Sequence, residues 1–223
     1  MKRGTTSTRR GVTAGPLERQ ARASLRAAGT TMARVERTAT GGIAAAAEAM
    51  IACLESGGTV FFCGNGGSAA DAEHLAAELS GRYLIDRPAL SALALSANTS
   101  TLTAIGNDYG FDQVFARPLS GMGKPGDVLV AITTSGRSAN VLRAVETAHG
   151  LGMLVVGMTG QGGREFAAHC DIALVSPSAA TPRVQEGHIV MGHIVCELVE
   201  RALLRRAVPA GRGTGRRRPR RNA

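Results

Sequence analysis

The stretch FFCGNGGSAADAEHLAAELSGRY, residues 61–83, passes from an apolar run through a glycine-rich turn into a helical pattern. This order is typical of a strand, turn and helix in an α/β protein. Asn65, Gly66, Gly67 and Ser68 occupy the turn, where backbone N–H groups and a hydroxyl can face an oxygen-rich ligand. The alternative is a turn that only caps the helix, with Ser68 as the N-cap.

Outward from this stretch, short apolar runs alternate with helical patterns. The five runs cover residues 59–64, 90–96, 127–135, 152–160 and 171–178. Most are apolar throughout, as expected for parallel strands that are covered on both faces. Helix-length segments stand between them, over Ser68–Ser80, Ser138–Gly150 and Thr181–Leu204. Residues 17–55, rich in Ala, Leu, Glu and Arg, predict one or two N-terminal helices. The chain is therefore predicted to be an α/β protein with a doubly wound, five-stranded parallel sheet and N-terminal helices.

Charge is distributed unevenly along the 223 residues, whose net charge is +9. Residues 1–10 hold four basic side chains and residues 205–223 hold eight arginines, and neither segment contains an acid. Between the two ends, 14 basic residues face 17 acidic ones. A nucleic-acid-binding domain would carry its basic patch on the folded part, so we expect no nucleic-acid partner except weakly through the Arg-rich tail. We expect residues 1–16 and 205–223 to be disordered and residues 17–204 to form one domain.

Cysteine usage and hydropathy suggest the compartment. The four cysteines are scattered and show no CxxC spacing, which favours free thiols in a reducing compartment. No apolar run approaches the roughly 20 residues of a membrane span. Arg9-Arg10 is not followed by an apolar segment, so an export signal is not expected. The sequence predicts a cytoplasmic protein without a membrane partner.

The stretch TTSGRSAN, residues 133–140, offers four hydroxyls immediately before a predicted helix, on Thr133, Thr134, Ser135 and Ser138. Clustered hydroxyls and the backbone N–H groups of a helix N-terminus can hold a phosphate. No GxxxxGK[ST] pattern is present, so the ligand would be a monophosphate and not a nucleoside triphosphate. An ordinary serine-rich turn with Ser138 as N-cap explains these residues equally well, and both interpretations stay open here.

A nucleotide cofactor is not expected. Gly64, Gly66 and Ala69 match the glycine spacing of a dinucleotide-binding turn. That site also needs an acidic residue near the end of the second strand to bind the ribose. The second apolar run continues as LALSANTS and supplies no acid. The glycine-rich turn is therefore assigned to a smaller ligand.

Polar side chains on two predicted helices are candidates for chemistry. His74 and Glu78 are four residues apart and share one helix face, although such pairs are more often surface salt bridges. Gln185 and His193 lie about 12 Å apart along the last helix, so only a metal or substrate between them could be reached by both. His188, between them, is a competing candidate or a satisfied core or interface histidine.

These clusters are expected to form one site. The glycine-rich turn follows the first apolar run, GND (106–108, with Asn107 and Asp108) comes after the second, and TTSGRSAN follows the third. In parallel α/β sheets, ligands bind beyond the carboxyl ends of the strands. Convergence of the three segments at that edge is the strongest structural indication that they act together.

Four motifs together resemble the phosphoheptose isomerases, which are members of the sugar-isomerase (SIS) domain superfamily. They are CGNGGSAADAEHLAAELSGRY (63–83), IGNDYGF (105–111), GDVLVAITTSGRSANVLRA (126–144) and RVQEGHIVMGHIVCELVE (183–200). The resemblance extends over roughly residues 40–204. It implies a SIS fold and a homotetramer with active sites at subunit contacts. It also implies conversion of sedoheptulose 7-phosphate to D-glycero-D-manno-heptose 7-phosphate, in heptose biosynthesis.

The resemblance also implies roles for individual residues. Those implied to bind substrate are Asn65, Gly66, Gly67, Ser68, Glu78, Asn107, Asp108, Thr133, Thr134, Ser135, Ser138 and Gln185. Those matching the family's Zn²⁺ positions are His74, Glu78, Gln185 and His193. Glu78 and His193 also match its catalytic pair. Thr133 stands where the family usually has serine, which keeps the hydroxyl.

The chemistry of such an isomerisation defines what the pair must do. Moving a carbonyl between adjacent carbons passes through an enediol and requires a base for carbon and a proton donor for oxygen. We expect Glu78 to be the base and His193 the donor. A carboxylate bound to zinc is a weaker base, and loosening of the metal by substrate would reconcile the two roles of Glu78. Glutamine is an uncommon zinc ligand, so Gln185 could instead orient substrate hydroxyls.

Two other functions are compatible with this scaffold. One is a non-catalytic sugar-phosphate-binding SIS module that acts through a protein or DNA partner. Such relatives lack the full Glu/His set seen here, which favours an enzyme. The other is isomerisation of a different sugar phosphate, which non-motif residues of the pocket would decide.

Overall fold

The computed structural model describes residues 15–207, with side chains up to residue 204. The first helix begins at Pro16 and the last ends at Ala207. The predicted disorder of the two basic ends falls largely on residues 1–14 and 208–223, which lie outside the described residues. That prediction therefore stays untested, as does the domain boundary at 204.

The centre of the fold is a sheet of five parallel strands. These are β1 (Val60–Gly64), β2 (Ala92–Ala94), β3 (Val128–Thr133), β4 (Leu154–Gly160) and β5 (Ile172–Ser176), in the order β2-β1-β3-β4-β5. Val60 pairs with Ala92 on one side and Val128 on the other. Every residue of β1 and β3 is buried, which explains why their sequences are apolar throughout. The predicted doubly wound sheet is confirmed.

Helices cover both faces of the sheet. They are α1 (Pro16–Glu55), α2 (Gly67–Ser80), α3 (Thr99–Asp108), α4 (Ala116–Met122), α5 (Ala139–Gly150), α6 (Arg164–Ala168) and α7 (Thr181–Ala207), with a 3₁₀ turn at Phe111–Gln113. Side chains of α1, α2 and α7 pack on one face with Phe62 and Met158. Side chains of α3 to α6 pack on the other face with Phe61 and Val155. Successive strand residues thus serve two cores, because their side chains alternate between the faces.

The N-terminal segment forms one helix of 40 residues. Its buried stripe, which includes Val35, Ala39, Ile43, Ala46 and Met50, continues past the glycine pair at positions 41 and 42. Each helical glycine costs roughly 1 kcal/mol relative to alanine. Packing of the stripe on the sheet outweighs this cost, so the helix is not divided. Residues 15–27 are exposed.

The region between β2 and β3 differs most from expectation. The strand predicted at 90–96 is reduced to Ala92–Ala94, which forms a partly exposed edge of the sheet. Helices α3 and α4 were not predicted, although Asn98 Oδ1 accepts a hydrogen bond from Thr101 N and caps α3. Asn107 and Asp108 consequently end α3 and do not directly follow a strand. Among the described residues, none of the helices combines the length and apolar character needed to cross a membrane.

The strand order determines where a ligand-binding crevice lies. β1 lies between β2 and β3, so the chain leaves β1 in one direction and returns on its other side. Ligands of doubly wound sheets bind at this switch point, beyond the carboxyl ends of the two strands. The segments that follow β1 and β3 are the glycine-rich turn and the hydroxyl-bearing turn.

Candidate active site

The turn after β1 is shaped by glycine. Gly66 has φ of 55°, a conformation that favours glycine, and it is the N-cap of α2. Ser68 lies inside the first turn of α2 and is buried, so the alternative that made it the N-cap is wrong. The predicted strand, turn and helix are confirmed.

Two contacts tie this turn to other elements. A Cβ at Gly67 would lie 2.2 Å from Gln185 Nε2, so the side chain of Gln185 on α7 packs directly on the glycine. Asn65 and Asn140 exchange two amide hydrogen bonds, each 2.8 Å long. Asn140 lies in the first turn of α5, behind the hydroxyl-bearing turn. The contacts therefore connect the segment after β1 to the last helix and to the segment after β3.

We call residues 133–138 the hydroxyl loop. Thr133 Oγ1 and Ser138 Oγ are 3.1 Å apart, and Gly136 N donates to Thr133 Oγ1 over 3.3 Å. Ser135 Oγ accepts from the backbone N–H of residue 137 at 3.3 Å. Ser138 is the N-cap of α5 but makes no side-chain capping bond, because its hydroxyl turns toward Thr133. The helix N-terminus, with its partial positive charge, thus opens beside clustered hydroxyls.

His74, Glu78 and His193 form what we call the acid–imidazole cluster. The Nε2 atoms of His74 and His193 are 2.8 Å apart, and His74 Nε2 lies 3.3 Å from Glu78 Oε1. His193 belongs to α7, 119 residues after His74 on α2. The side chain of Glu78 is 19% exposed and that of His74 is 48% exposed. The structure thus brings together an acid and two imidazoles from distant parts of the chain.

The donor set of this cluster suits a transition metal. One ligand atom from each of the three residues can be chosen so that all lie within 4.8 Å of one another. Two imidazole nitrogens and a carboxylate oxygen are typical zinc ligands. Gln185, the fourth predicted position, lies against Gly67 where α2 begins.

Two residues that sequence reasoning missed lie beside the cluster. Asp71 precedes His74 by one turn of α2, and its Oδ2 atom is buried without a hydrogen-bond partner. Burial raises the pKa of Asp71, and the charge of His74 partly opposes this. The ring of Tyr83 lies 5.7 Å from that of His193, between centroids. Spacing could have indicated Asp71, which is three residues before His74 and seven before Glu78.

His188 is a core residue and not a member of the cluster. It is fully buried on α7, where its ring lies beside the backbone of Thr159. Burial lowers its pKa to about 4, so the ring is neutral at pH 7. The core alternative is therefore the correct one.

Asn107 and Asp108 stand apart from the cluster. They lie at the exposed end of α3, where Asn107 Nδ2 donates to Asp108 Oδ1 over 2.7 Å. Within the described part of the chain, no hydrogen bond joins this pair to the hydroxyl loop or the acid–imidazole cluster. Their predicted substrate contact stays a prediction.

Comparison with known proteins places this arrangement in a family. The SIS domain family model matches residues 25–160. A phosphoheptose isomerase of Rhodospirillum rubrum is 59% identical over 161 residues, which are 72% of this chain and 86% of the relative. The solved phosphoheptose isomerase GmhA of Neisseria gonorrhoeae superposes with a TM-score of 0.79 and 42% identity, covering 83% of this chain and 99% of that one. A solved phosphoheptose isomerase from Francisella tularensis also superposes with a TM-score of 0.79. It is 37% identical, and the match covers 82% of this chain and 97% of that one.

The parallel sheet, its two flanking layers and the matched domain define a SIS-domain protein. Within that class, the chain belongs to the phosphoheptose isomerase family.

Proposed function

We propose that this protein is an aldose–ketose isomerase that converts sedoheptulose 7-phosphate to D-glycero-D-manno-heptose 7-phosphate. The observation that carries the proposal is the meeting of Glu78 with two imidazoles on α2 and α7. The helix that bears Glu78 begins at the turn joined to α5 through Asn65 and Asn140. In this proposal one elongated ligand contacts the hydroxyl loop at one end and the acid–imidazole cluster at the other. The relatives named phosphoheptose isomerase support the same substrate.

The hydroxyl loop binds the phosphate in this proposal. Thr133, Thr134, Ser135 and Ser138 offer hydroxyls, and the α5 N-terminus adds backbone N–H donors. The Asn65 side chain is occupied by Asn140, so the turn after β1 contacts the sugar mainly through its backbone, together with Ser68. Gln185, packed on that turn, orients sugar hydroxyls. Asn107 and Asp108 complete the binding set.

Glu78 and His193 carry out the proton transfers. The Glu78 carboxylate removes the proton from the carbon next to the carbonyl, and His193 donates a proton to the carbonyl oxygen. The resulting enediol is converted to product when Glu78 returns its proton to the neighbouring carbon and the other oxygen gives up its own to His193. Partial burial of Glu78 favours the base role, because an incompletely solvated carboxylate holds a proton more readily. The ring of His74 packs edge-on against that of His193, 5.1 Å away between centroids, and limits its orientation.

Zinc fits the acid–imidazole cluster. His74, Glu78 and His193 would hold the ion, and Gln185 would be a fourth ligand only in place of its contact with the sugar hydroxyls. A bound zinc ion supplies polarisation of the substrate's carbonyl and hydroxyl oxygens. Bound zinc would lower the proton affinity of the Glu78 carboxylate, which remains the base in this proposal.

We propose a homotetramer as the working form. Val190, Ile194 and Leu198 lie four residues apart on α7 and form an apolar stripe, each 37–39% exposed. The stripe shares its helix with His193, and contiguous exposed apolar surface is typical of protein contacts. Light scattering of the full chain tests this, since a tetramer has four times the 22.9 kDa mass of the subunit. The free cysteines among the described residues support the predicted cytoplasmic location.

The direct test is incubation with sedoheptulose 7-phosphate while the ketose carbonyl is followed by NMR. We expect the ketose signal to decay and aldose anomeric signals to appear. A chelator should slow the reaction, and added Zn²⁺ should restore it. Absence of turnover by the zinc-loaded protein would refute the proposed function.

A further inference from the structure

A buried ion pair lies behind the acid–imidazole cluster. Arg87, in the segment between α2 and β2, and Glu200, on α7, are joined by a 3.0 Å contact between Nε and Oε1. Their side chains are 2% and 1% exposed. Each charge is therefore removed from water and depends on protein partners.

Glu200 holds the segment that follows α2. Its carboxylate accepts backbone N–H bonds from Tyr83 at 3.0 Å, Leu84 at 2.8 Å and Ile85 at 3.0 Å. Burial alone would raise the pKa of Glu200, but these three donors and Arg87 outweigh it and lower the pKa. The carboxylate is thus ionised at neutral pH, and it fixes Tyr83 where its ring packs on His193.

Arg87 holds the end of α2. Its guanidinium donates to the carbonyl oxygens of Glu78 and Leu79, each over 2.8 Å, and more weakly to that of Gly81. The last carbonyls of a helix have no partner within the helix, and a buried cation satisfies them. One of these carbonyls belongs to Glu78 itself, the proposed base.

The pair therefore links the two helices that carry the reacting groups. Glu200 follows His193 by seven residues, which is two turns along the same side of α7. Arg87 contacts the last turn of α2, where Glu78 lies. We infer that Arg87 and Glu200 are positioning residues that fix Glu78 and Tyr83 relative to His193. The kinetic consequences of this inference rest on the proposed isomerase activity, whereas its structural consequences do not.

The pair also satisfies buried backbone groups, so its effect on stability must be separated from its effect on the reacting groups. Replacing a buried ion pair by apolar residues of similar volume is often neutral or stabilising, whereas removing one partner is costly. A double substitution, Arg87→Met with Glu200→Leu, therefore removes both charges together and leaves no unpaired charge, although the backbone groups bonded to them lose their partners. Arg87→Lys is a milder variant that keeps the charge and loses the planar array of donors.

The test compares kcat, KM and melting temperature. We expect Arg87→Lys to melt close to the parent protein and the double variant to melt lower, because the backbone N–H groups of Tyr83, Leu84 and Ile85 lose their acceptor. In the double variant, measured below its melting temperature, kcat should fall about tenfold to a hundredfold, because small displacements of reacting groups have effects of this size. KM should change less than about threefold, since the hydroxyl loop is untouched. The matched control is Arg143→Met with Glu146→Leu, an exposed pair on α5 that should leave kcat unchanged. Normal kcat in a folded double variant would overturn the inference. If the double variant does not fold, normal kcat in Arg87→Lys would overturn it instead.

A second measurement needs no substrate. The ¹H–¹³C signals of the His193 ring, recorded at one pH, report its contacts with Tyr83 and His74. We expect these signals to shift in both variants and to stay in place in the control. Unshifted signals would refute the positioning role even if the protein proves to act on another substrate. Inactivity of the parent protein, with shifted signals in the variants, would refute the proposed function alone.

Discussion

The hydroxyl loop and the acid–imidazole cluster are built in opposite ways. The hydroxyl loop is six consecutive residues that bond mainly to one another, through Thr133 and Ser138 above all. The cluster joins side chains 119 residues apart, from two helices held by a buried ion pair. The loop offers neutral hydroxyls and the cluster offers an acid and two imidazoles. Binding and chemistry are thus assigned to separate regions, and substitutions should affect KM in one and kcat in the other.

The largest effect is expected at Glu78. Glu78→Gln removes the proposed base and keeps the side-chain volume, so kcat should fall by about 10²- to 10⁴-fold. KM, assembly and melting temperature should change little, which steady-state kinetics, light scattering and calorimetry can check. Glu73→Gln is the matched control on the same helix, because Glu73 faces Ser96 instead of the cluster. Near-normal turnover by Glu78→Gln would refute the assignment of the chemistry to the acid–imidazole cluster.

A smaller effect is expected from pH, through the buried core histidine His188, which shares α7 with His193. His188 has a pKa of about 4 in the folded protein against 6.5 when unfolded, so the unfolded chain binds more protons between these values. The neutral ring therefore contributes its full stability above pH 6.5. As pH falls from 6.5 toward 4, the free energy of unfolding should decrease by about 3 kcal/mol. Urea unfolding at a series of pH values measures this. His188→Gln should flatten that part of the profile, and an unchanged profile would contradict the burial argument.

The smallest effect is expected in the hydroxyl loop. Ser138→Ala should raise KM about tenfold, equivalent to about 1.4 kcal/mol, because one hydroxyl donor to phosphate is lost. The value of kcat should stay within about twofold, since the cluster is intact. Thr147→Val is the control on the same helix, where the hydroxyl already bonds to the carbonyl of residue 143. A fall in kcat without a change in KM would mean that the loop takes part in the chemistry.

Local pattern was sufficient for several parts of the fold and site. The apolar runs predicted the sheet, because strands buried on both faces need apolar residues at every position. The i, i+4 spacing predicted that His74 and Glu78 share a face of α2. The hydroxyls of residues 133–138 predicted a polar turn before a helix, and the phosphate-binding role of that turn stays a prediction. In each case the groups that must meet are near neighbours in the chain.

Tertiary structure decided what distant residues do. The contact between His74 and His193 depends on how α7 packs beside α2, and no spacing within either helix encodes it. Arg87 and Glu200 are 113 residues apart, and only the fold shows that they share a buried site. The limit of what the sequence predicts therefore has a physical cause. Backbone periodicity and turn chemistry act over a few residues and can be recognised in the sequence, whereas the packing of helices across a sheet brings the reacting groups together and must be seen in three dimensions.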